Sequence, residues 1–367
     1  MAEILPPRAV GTPILRKEDR RFTTGAGRYT GDLKFPGMLH AAAVRSPYAH
    51  ARIVDIDASA ALALDGVVAF FSAREIAGKV RMFPEPAIRD LNPRIHGLIA
   101  LDIRSQPMEP LPSERVLWVG EPVGYVVAEE PSVAEDAAEL VAVDYEPLPA
   151  VATMDDALAD DAPLVHPELG SNVQQTWAVA SGDVDAALAG APHVLEARLT
   201  MGRMVANAME PRGMMAVYDG GRDELRIFST SIRPHLLREI VSEMLDMPTD
   251  NIRCLGPDIG GSFGSGMFHE ETMIPFLARE LGRPVRWIED RRENLLNTRH
   301  CRDQQHDVTV GFDDDGVILG LRDSFRADFG AHNHYAITVS YNVASHFRGP
   351  FKIDDFAIDC TGVLTNK

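Results

Sequence analysis

At 367 residues the chain is too long for one compact core, so two or three domains are expected. Asp and Glu number 54 against 36 Lys and Arg, and the formal charge of −18 disfavours loose binding to nucleic acid or anionic membrane, leaving small molecules and protein subunits as expected partners. No run reaches the roughly 18 apolar residues of a membrane span, and MAEILPPRAV lacks a basic segment followed by an apolar one, so a cytoplasmic protein is expected. Cys254, Cys301 and Cys360 lack CxxC spacing, which excludes an iron-sulfur cluster or zinc site built from them and suits a reducing compartment.

In chain order, residues 12–35 are rich in Arg, Gly and Thr and read as an irregular arm, and 1–19 are set apart from the first domain as an N-terminal arm. LHAAAVRSPYAHARIVDID reads as a strand, Ala58 to Leu64 as a short helix and GVVAFFSAREI as a strand entering a turn. GEPVGYVVAEE repeats the strand, and SVAEDAAELVAV follows as an amphipathic helix. These elements form a first domain over 20–135. DYEPLPAVATMDDALADDAPLVHPELGS carries four prolines and little apolar periodicity, so 136–192 is expected to be a linker.

From 193 to 367 a second domain mixes strands and helices. HVLEARLTM alternates, and Asp-Gly marks a hairpin in MMAVYDGGRDELRIFSTS and another in HDVTVGFDDDGVILGLRDSF. Between them HLLREIVSEMLDMP and HEETMIPFLARELG read as helices, the second with Met273, Ile274, Phe276, Leu277 and Leu281 at helical spacing. An α+β fold follows.

The segment with most chemistry is NIRCLGPDIGGSFGSGMFHEE. An apolar strand runs into Gly260, Gly261, Ser262, Phe263 and Gly264, and a helix follows. Glycines permit positive φ and close approach of backbone to a ligand, so several N–H groups there could converge on an oxyanion. Ordinary strand-to-helix connections show the same pattern. Neither a Lys-Ser/Thr pair nor GxGxxG is present, which disfavours a nucleotide site.

Taken in order, GTPILRKEDRRFTTGAGRYTGDL, LHAAAVRSPYAHARI, GEPVGYVVAEE, NAMEPRG, GPDIGGSFG, GRPVRWIEDRREN and VLTNK resemble the large subunit of the xanthine oxidase, aldehyde oxidase and aerobic carbon monoxide dehydrogenase family, over its N-terminal half. The resemblance implies an α/β hammerhead domain followed by part of a molybdopterin-binding domain. It implies a bacterial molybdenum hydroxylase that oxidises an aldehyde or N-heteroaromatic carbon with oxygen from water. The cofactor would be a molybdenum-molybdopterin cytosine dinucleotide, with FAD and [2Fe-2S] clusters on partner subunits. By the same resemblance, Gly261 to Gly264 correspond to the loop that meets the molybdenum centre, and Phe263 is read as excluding water, or else as a core aromatic beside a turn.

The sequence also departs from the family. Relatives carry Gln in STQxPH, whereas STSIRPH places Ser231 or Ile232 there, two low-ranking pocket candidates with Met267, which stands where purine-oxidising members have Glu. Glu210 and Asp290 sit beside arginines and are expected in ion pairs. Glu270 and Glu271 are expected as acids favoured by a helix start. No metal ligand set is expected from His269, Glu270 and Glu271 or from the histidines at 332 and 334. The family's general base and pocket loop belong to its C-terminal half, so no catalytic residue is assigned on this chain, which is expected to be inactive without a polypeptide carrying the remaining molybdopterin domains. A split large subunit would leave a broad apolar surface on 193–367 for that partner. The alternatives are a member acting on carbon monoxide and a non-catalytic, partner-binding relative.

Overall fold

The structure, a computed structural model, describes residues 10–84, 102–104, 107–264, 269–332 and 336–367, with backbone alone at Asp102, Ile103, His269 and 336–339. The first part of the chain supplies β1 (Leu39–Arg45), β2 (Ala51–Asp57), β3 (Val67–Ser72), β4 (Asp102–Ile103), β5 (Arg115–Val116), β6 (Pro122–Ala128), β7 (Ala142–Pro147) and β8 (Val173–Ser181). The later part supplies β9 (His193–Met201), β10 (Met204–Val205), β11 (Gly213–Asp219), β12 (Glu224–Ser229), β13 (Ile252–Leu255), β14 (Val285–Ile288), β15 (His300–Cys301), β16 (Gln304–Phe312), β17 (Ile318–Asp328) and β18 (Asp355–Val363).

A seven-stranded mixed sheet ordered β13-β12-β11-β14-β1-β6-β3 joins the two parts. Its β6, PVGYVVA, is buried at every position, as an interior strand covered on both faces must be. β12 and β13 run parallel, β1 and β14 run parallel, and β11 is antiparallel to both β12 and β14. The carboxyl ends of β12, β13, β14 and β1 therefore lie along one edge, where ligand sites of open α/β sheets form.

Two helices cover this sheet's second half. Pro234 opens the helix Pro234–Leu245, at a position where its missing N–H costs nothing, and the second is His269–Leu281. The first buries Leu237, Ile240, Val241 and Met244, and the second Met273, Ile274, Phe276 and Leu277, against Met214, Ala216, Leu225 and Ile227 of the strands. The hairpin turns fall as expected, β11 pairing with β12 and β16 with β17.

The expected single strand over LHAAAVRSPYAHARIVDID is two strands in different sheets. Between them the Tyr48 N–H donates to Ser46 Oγ at 3.0 Å ahead of the turn into β2, which joins β5 and β7 in a three-stranded sheet. Residues 136–192, expected as a linker, are instead built into both parts. β7 pairs with β2 and β8 with β18, and Val151, Met154, Ala157 and Val165 are buried with Trp177, Phe325 and Ile358. The prolines had erased the periodicity without removing the apolar residues.

The other large sheet has the order β4-β8-β18-β17-β16-β9. Its edge strand β9 exposes Val194, Leu195, Leu199 and Met201. Cys254, Cys301 and Cys360 are free thiols. Among the described residues, no helix is long and apolar enough to cross a membrane.

Candidate cofactor loop and the buried charges beneath it

The glycine loop leaves β13 at the carboxyl edge of the seven-stranded sheet. Gly261 has φ +117°, Phe263 φ +48° and Gly264 φ +84°, left-handed conformations that glycine adopts freely and phenylalanine rarely. Phe263 is 82% exposed, so it is not the core aromatic of one expectation. Met209, from the neighbouring 207–210 turn, is 90% exposed.

That turn grips the start of the loop. Gly260 N–H donates to Glu210 Oε2 at 2.6 Å, and the Glu210 N–H donates to the Gly260 carbonyl at 3.3 Å. The ion pair expected for Glu210 is thus replaced by backbone donors, because Arg212, two residues on, turns into the interior. Asp290 likewise pairs with no arginine; it caps the helix Arg291–Asn297, accepting from Glu293 N–H at 2.6 Å while Glu293 reaches back to Asp290 N–H.

The far side of the loop is anchored by charge. Glu270, in the first turn of His269–Leu281, is fully buried and accepts from Arg45 Nη2 at 2.8 Å, Arg212 Nη1 at 3.2 Å and Asn297 Nδ2 at 2.6 Å. Arg45 also reaches Glu293, at 2.8 Å, and the Gly120 carbonyl, at 3.0 Å. Arg212 forks onto Glu289, whose second oxygen accepts from Asn294 at 2.8 Å. Burial pushes the Glu270 carboxyl up, yet the guanidiniums of Arg212 and Arg45 outweigh it and hold the group down at about 2. The helix-start reading explains where Glu270 stands but misses both arginines, whose partners are remote in sequence. Glu271 is buried beside it.

Trp118 Nε1 extends the network by donating to Asn297 Oδ1 at 2.8 Å. Next to it, burial pushes the Glu121 carboxyl up to about 8 against the lowering pull of the Leu117 and Trp118 N–H groups. A carboxyl raised in this way holds a proton in the folded chain that the unfolded chain has lost. The stability it contributes is complete below the unfolded value and disappears as pH rises through about 8. Glu121→Gln should therefore remove a slope of up to about 1.4 kcal/mol per pH unit. Melting temperatures of both proteins at pH 6 and pH 9 check this, and parallel shifts would refute it.

Of the other sequence candidates, Ser231 is buried just beyond β12, accepting from Arg233 N–H at 3.3 Å, and Ile232 is 45% exposed beside it. The register Phe228 to Leu255 brings this turn and the glycine loop to the same sheet edge. Met267 and His334 lie outside the described residues. His332 has its ring centroid 4.7 Å from that of His166, whose Nε2 lies 2.7 Å from the Ala331 carbonyl. Glu210, Arg45 and Arg212 are the site residues whose roles spacing missed. Pro211 and Gly213, just after Glu210, were the only local sign of a tight turn there.

Two family models match the chain: the a/b hammerhead domain of aldehyde oxidase and xanthine dehydrogenase over residues 24–149, and the molybdopterin cofactor-binding domain over 165–367. The chain is 36% identical to subunit gamma of the 6-hydroxypseudooxynicotine dehydrogenase complex of Paenarthrobacter nicotinovorans, across 98% of this chain and 44% of that one. It is 34% identical to the carbon monoxide dehydrogenase large chain of Hydrogenophaga pseudoflava, across 96% and 44%. It superimposes on quinoline 2-oxidoreductase from Pseudomonas putida 86 with a TM-score of 0.88 at 34% identity, covering 97% of this chain and 44% of that one. The chain spans less than half the length of these relatives.

Proposed function

This chain belongs to the molybdopterin-binding large-subunit family of xanthine dehydrogenase and carbon monoxide dehydrogenase, whose members are oxidoreductases, and from that premise we propose that it supplies one wall of a molybdenum hydroxylase's cofactor site. The observation that carries this reading is the loop Gly260–Gly264: left-handed at three positions, clasped by Glu210 at its start, and set at the carboxyl edge of parallel strands.

The residues present fit a molybdenum-pterin group. A Cβ on Gly260 would lie 2.5 Å from Glu210 Cβ, and one on Gly261 would lie 3.1 Å from Ala208 Cβ, so this cradle takes backbone only. The acid against it, Glu210, spends its carboxylate on N–H donors instead of repelling an electron-rich ligand. With Gly260 fixed by Glu210, the backbone of Gly261, Ser262, Phe263 and Gly264 would hold the group, fixed dipoles serving where a mobile charge would have to reorganise. When bound, that group supplies two-electron oxidation of a carbon centre with oxygen from water. Phe263 and Met209, both apolar and exposed, would form a dry rim beside it.

The substrate class we propose is an N-heteroaromatic or aldehyde carbon. The relatives named for a nicotine derivative and for quinoline support the first. The cofactor is proposed in its cytosine dinucleotide form, with FAD and [2Fe-2S] subunits as partners, a reading supported by the relative that is one subunit of a complex. The remaining molybdopterin domains would cover Leu195, Leu199, Met201, Met209 and Phe263 and bring the general base. Native complexes containing this chain are expected to hold molybdenum and pterin in proportion to it and to oxidise quinoline-like rings. Complexes of full composition devoid of both would overturn the proposal.

A further inference from the structure

We infer that Glu210 is a positioning residue, the latch that fixes the backbone of the glycine loop, and that the N-terminal arm is part of the same latch. Its importance for catalysis rests on the loop being the cofactor wall proposed above.

Three segments far apart in sequence interlock here. The carboxylate of Glu210 takes the Gly260 N–H at 2.6 Å, while the Gly260 carbonyl takes the Glu210 N–H, so the two residues clasp in both directions. Thr30, a fully buried residue of the arm, has its backbone beside the same carboxylate. Two residues before Gly260, Asp258 receives the two terminal guanidinium nitrogens of Arg21 at 2.5 Å each and the Arg28 N–H at 2.7 Å, and it returns its own N–H to the Arg28 carbonyl at 2.9 Å. The arm thus reaches the loop through Asp258 and packs beside Glu210.

Glu210 is itself held in place. Arg291 bonds the Asn207 side chain and the carbonyls of Ala208, at 2.7 Å, and Met209, at 3.3 Å, which makes the 207–210 turn a rigid base. Only glycine at 260 and 261 permits the approach, since added Cβ atoms would meet Glu210 and Ala208. A longer or more mobile contact would loosen the start of the loop in which Gly261, Phe263 and Gly264 are left-handed. With the latch closed, the loop is set before any ligand arrives, which removes ordering cost from binding.

Hydrogen-exchange mass spectrometry of the full chain tests the latch without cofactor. Loss of a hydrogen bond to a charged acceptor should speed exchange in peptides covering 256–264 by about tenfold or more in Glu210→Ala. Peptides from β6 and from Pro234–Leu245 should be unchanged. Glu210→Gln, which keeps an acceptor oxygen, should restore most of the protection, and Asp258→Asn should give a weaker form of the same local pattern. If exchange at 256–264 is unaltered in Glu210→Ala, or rises equally throughout the chain, the latch is refuted; should that variant not fold, Asp258→Asn decides by the same criterion. Molybdenum content of the native complex is the separate readout, expected to fall in Glu210→Ala and recover in Glu210→Gln. Faster exchange with unchanged molybdenum in every variant would keep the latch and overturn the cofactor-wall reading.

Discussion

Glu270→Ala should lower the stability of the chain by about 3–5 kcal/mol, because it strands Arg45 and Arg212 in a dry interior without their shared carboxylate. Arg45 keeps Glu293 and Arg212 keeps Glu289, so the loss arises mainly from two buried positive charges left under-compensated, and the isosteric Glu270→Gln, which can still accept from Arg45 and Asn297, should cost less. The acid limb gives an independent check. Glu270 has its folded value depressed to about 2, so its contribution is complete above the unfolded carboxylate value of 4.5 and is lost as pH falls from there through about 2. Urea titrations at pH 7 and pH 3 should show the gap between the natural chain and Glu270→Gln narrowing at pH 3. A gap that widens would mean that the carboxylate is not held by the arginines.

Gly260→Ala is the second large effect, and it acts by a different physical route. The new methyl group would sit 2.5 Å from Glu210 Cβ, a distance that forces the loop and the 207–210 turn apart. Overpacking of this kind costs about 1–3 kcal/mol. It should also lower the molybdenum content of the native complex, because the clasp to Glu210 opens. Gly264→Ala is the control: among the described residues no atom lies within 4 Å of its added Cβ, but φ is +84°, so the backbone penalty of about 1–2 kcal/mol remains. Equal loss of molybdenum in the two variants would show that loop conformation alone matters and that contact with Glu210 does not.

What the sequence made legible follows from the range over which each signal acts. Helical spacing at Met273, Ile274, Phe276 and Leu277, the Asp-Gly hairpin of β11 and β12, and the glycine loop are local patterns, and each stands where it was expected. The charge network was not legible because Arg45 and Glu270 are separated by 225 positions and Arg45 and Glu293 by 248. Glu270 reads locally as an acid favoured by a helix start, and nothing beside Arg45 or Glu293 in sequence points to it. Glu210 and Asp290 were misassigned to ion pairs for a related reason: adjacency to arginine in sequence says little when Arg212 points into the core and Asp290 begins a helix. The proline-rich stretch hid a buried cover because Val151, Met154 and Val165 reach the core singly, from irregular chain and a one-turn helix, with no repeat to betray them.

The seam between β1 and β14 also governs how the protein is made. Leu39 finds its partner at Val285, so the middle of the central sheet cannot close until most of the chain exists. At about 5–20 residues per second of synthesis, β1 waits some ten to fifty seconds and β6 roughly eight to thirty before β14 is made, with the β1 edge open to hydrogen bonding. During that interval the nascent N-terminal strands are an unpaired template beside Leu39 and Tyr125, side chains that end up fully buried. Protection of the newborn chain, by a chaperone or by early closure of the β2, β5 and β7 sheet, is therefore as much a condition for a completed central sheet as the pairing of β1 with β14.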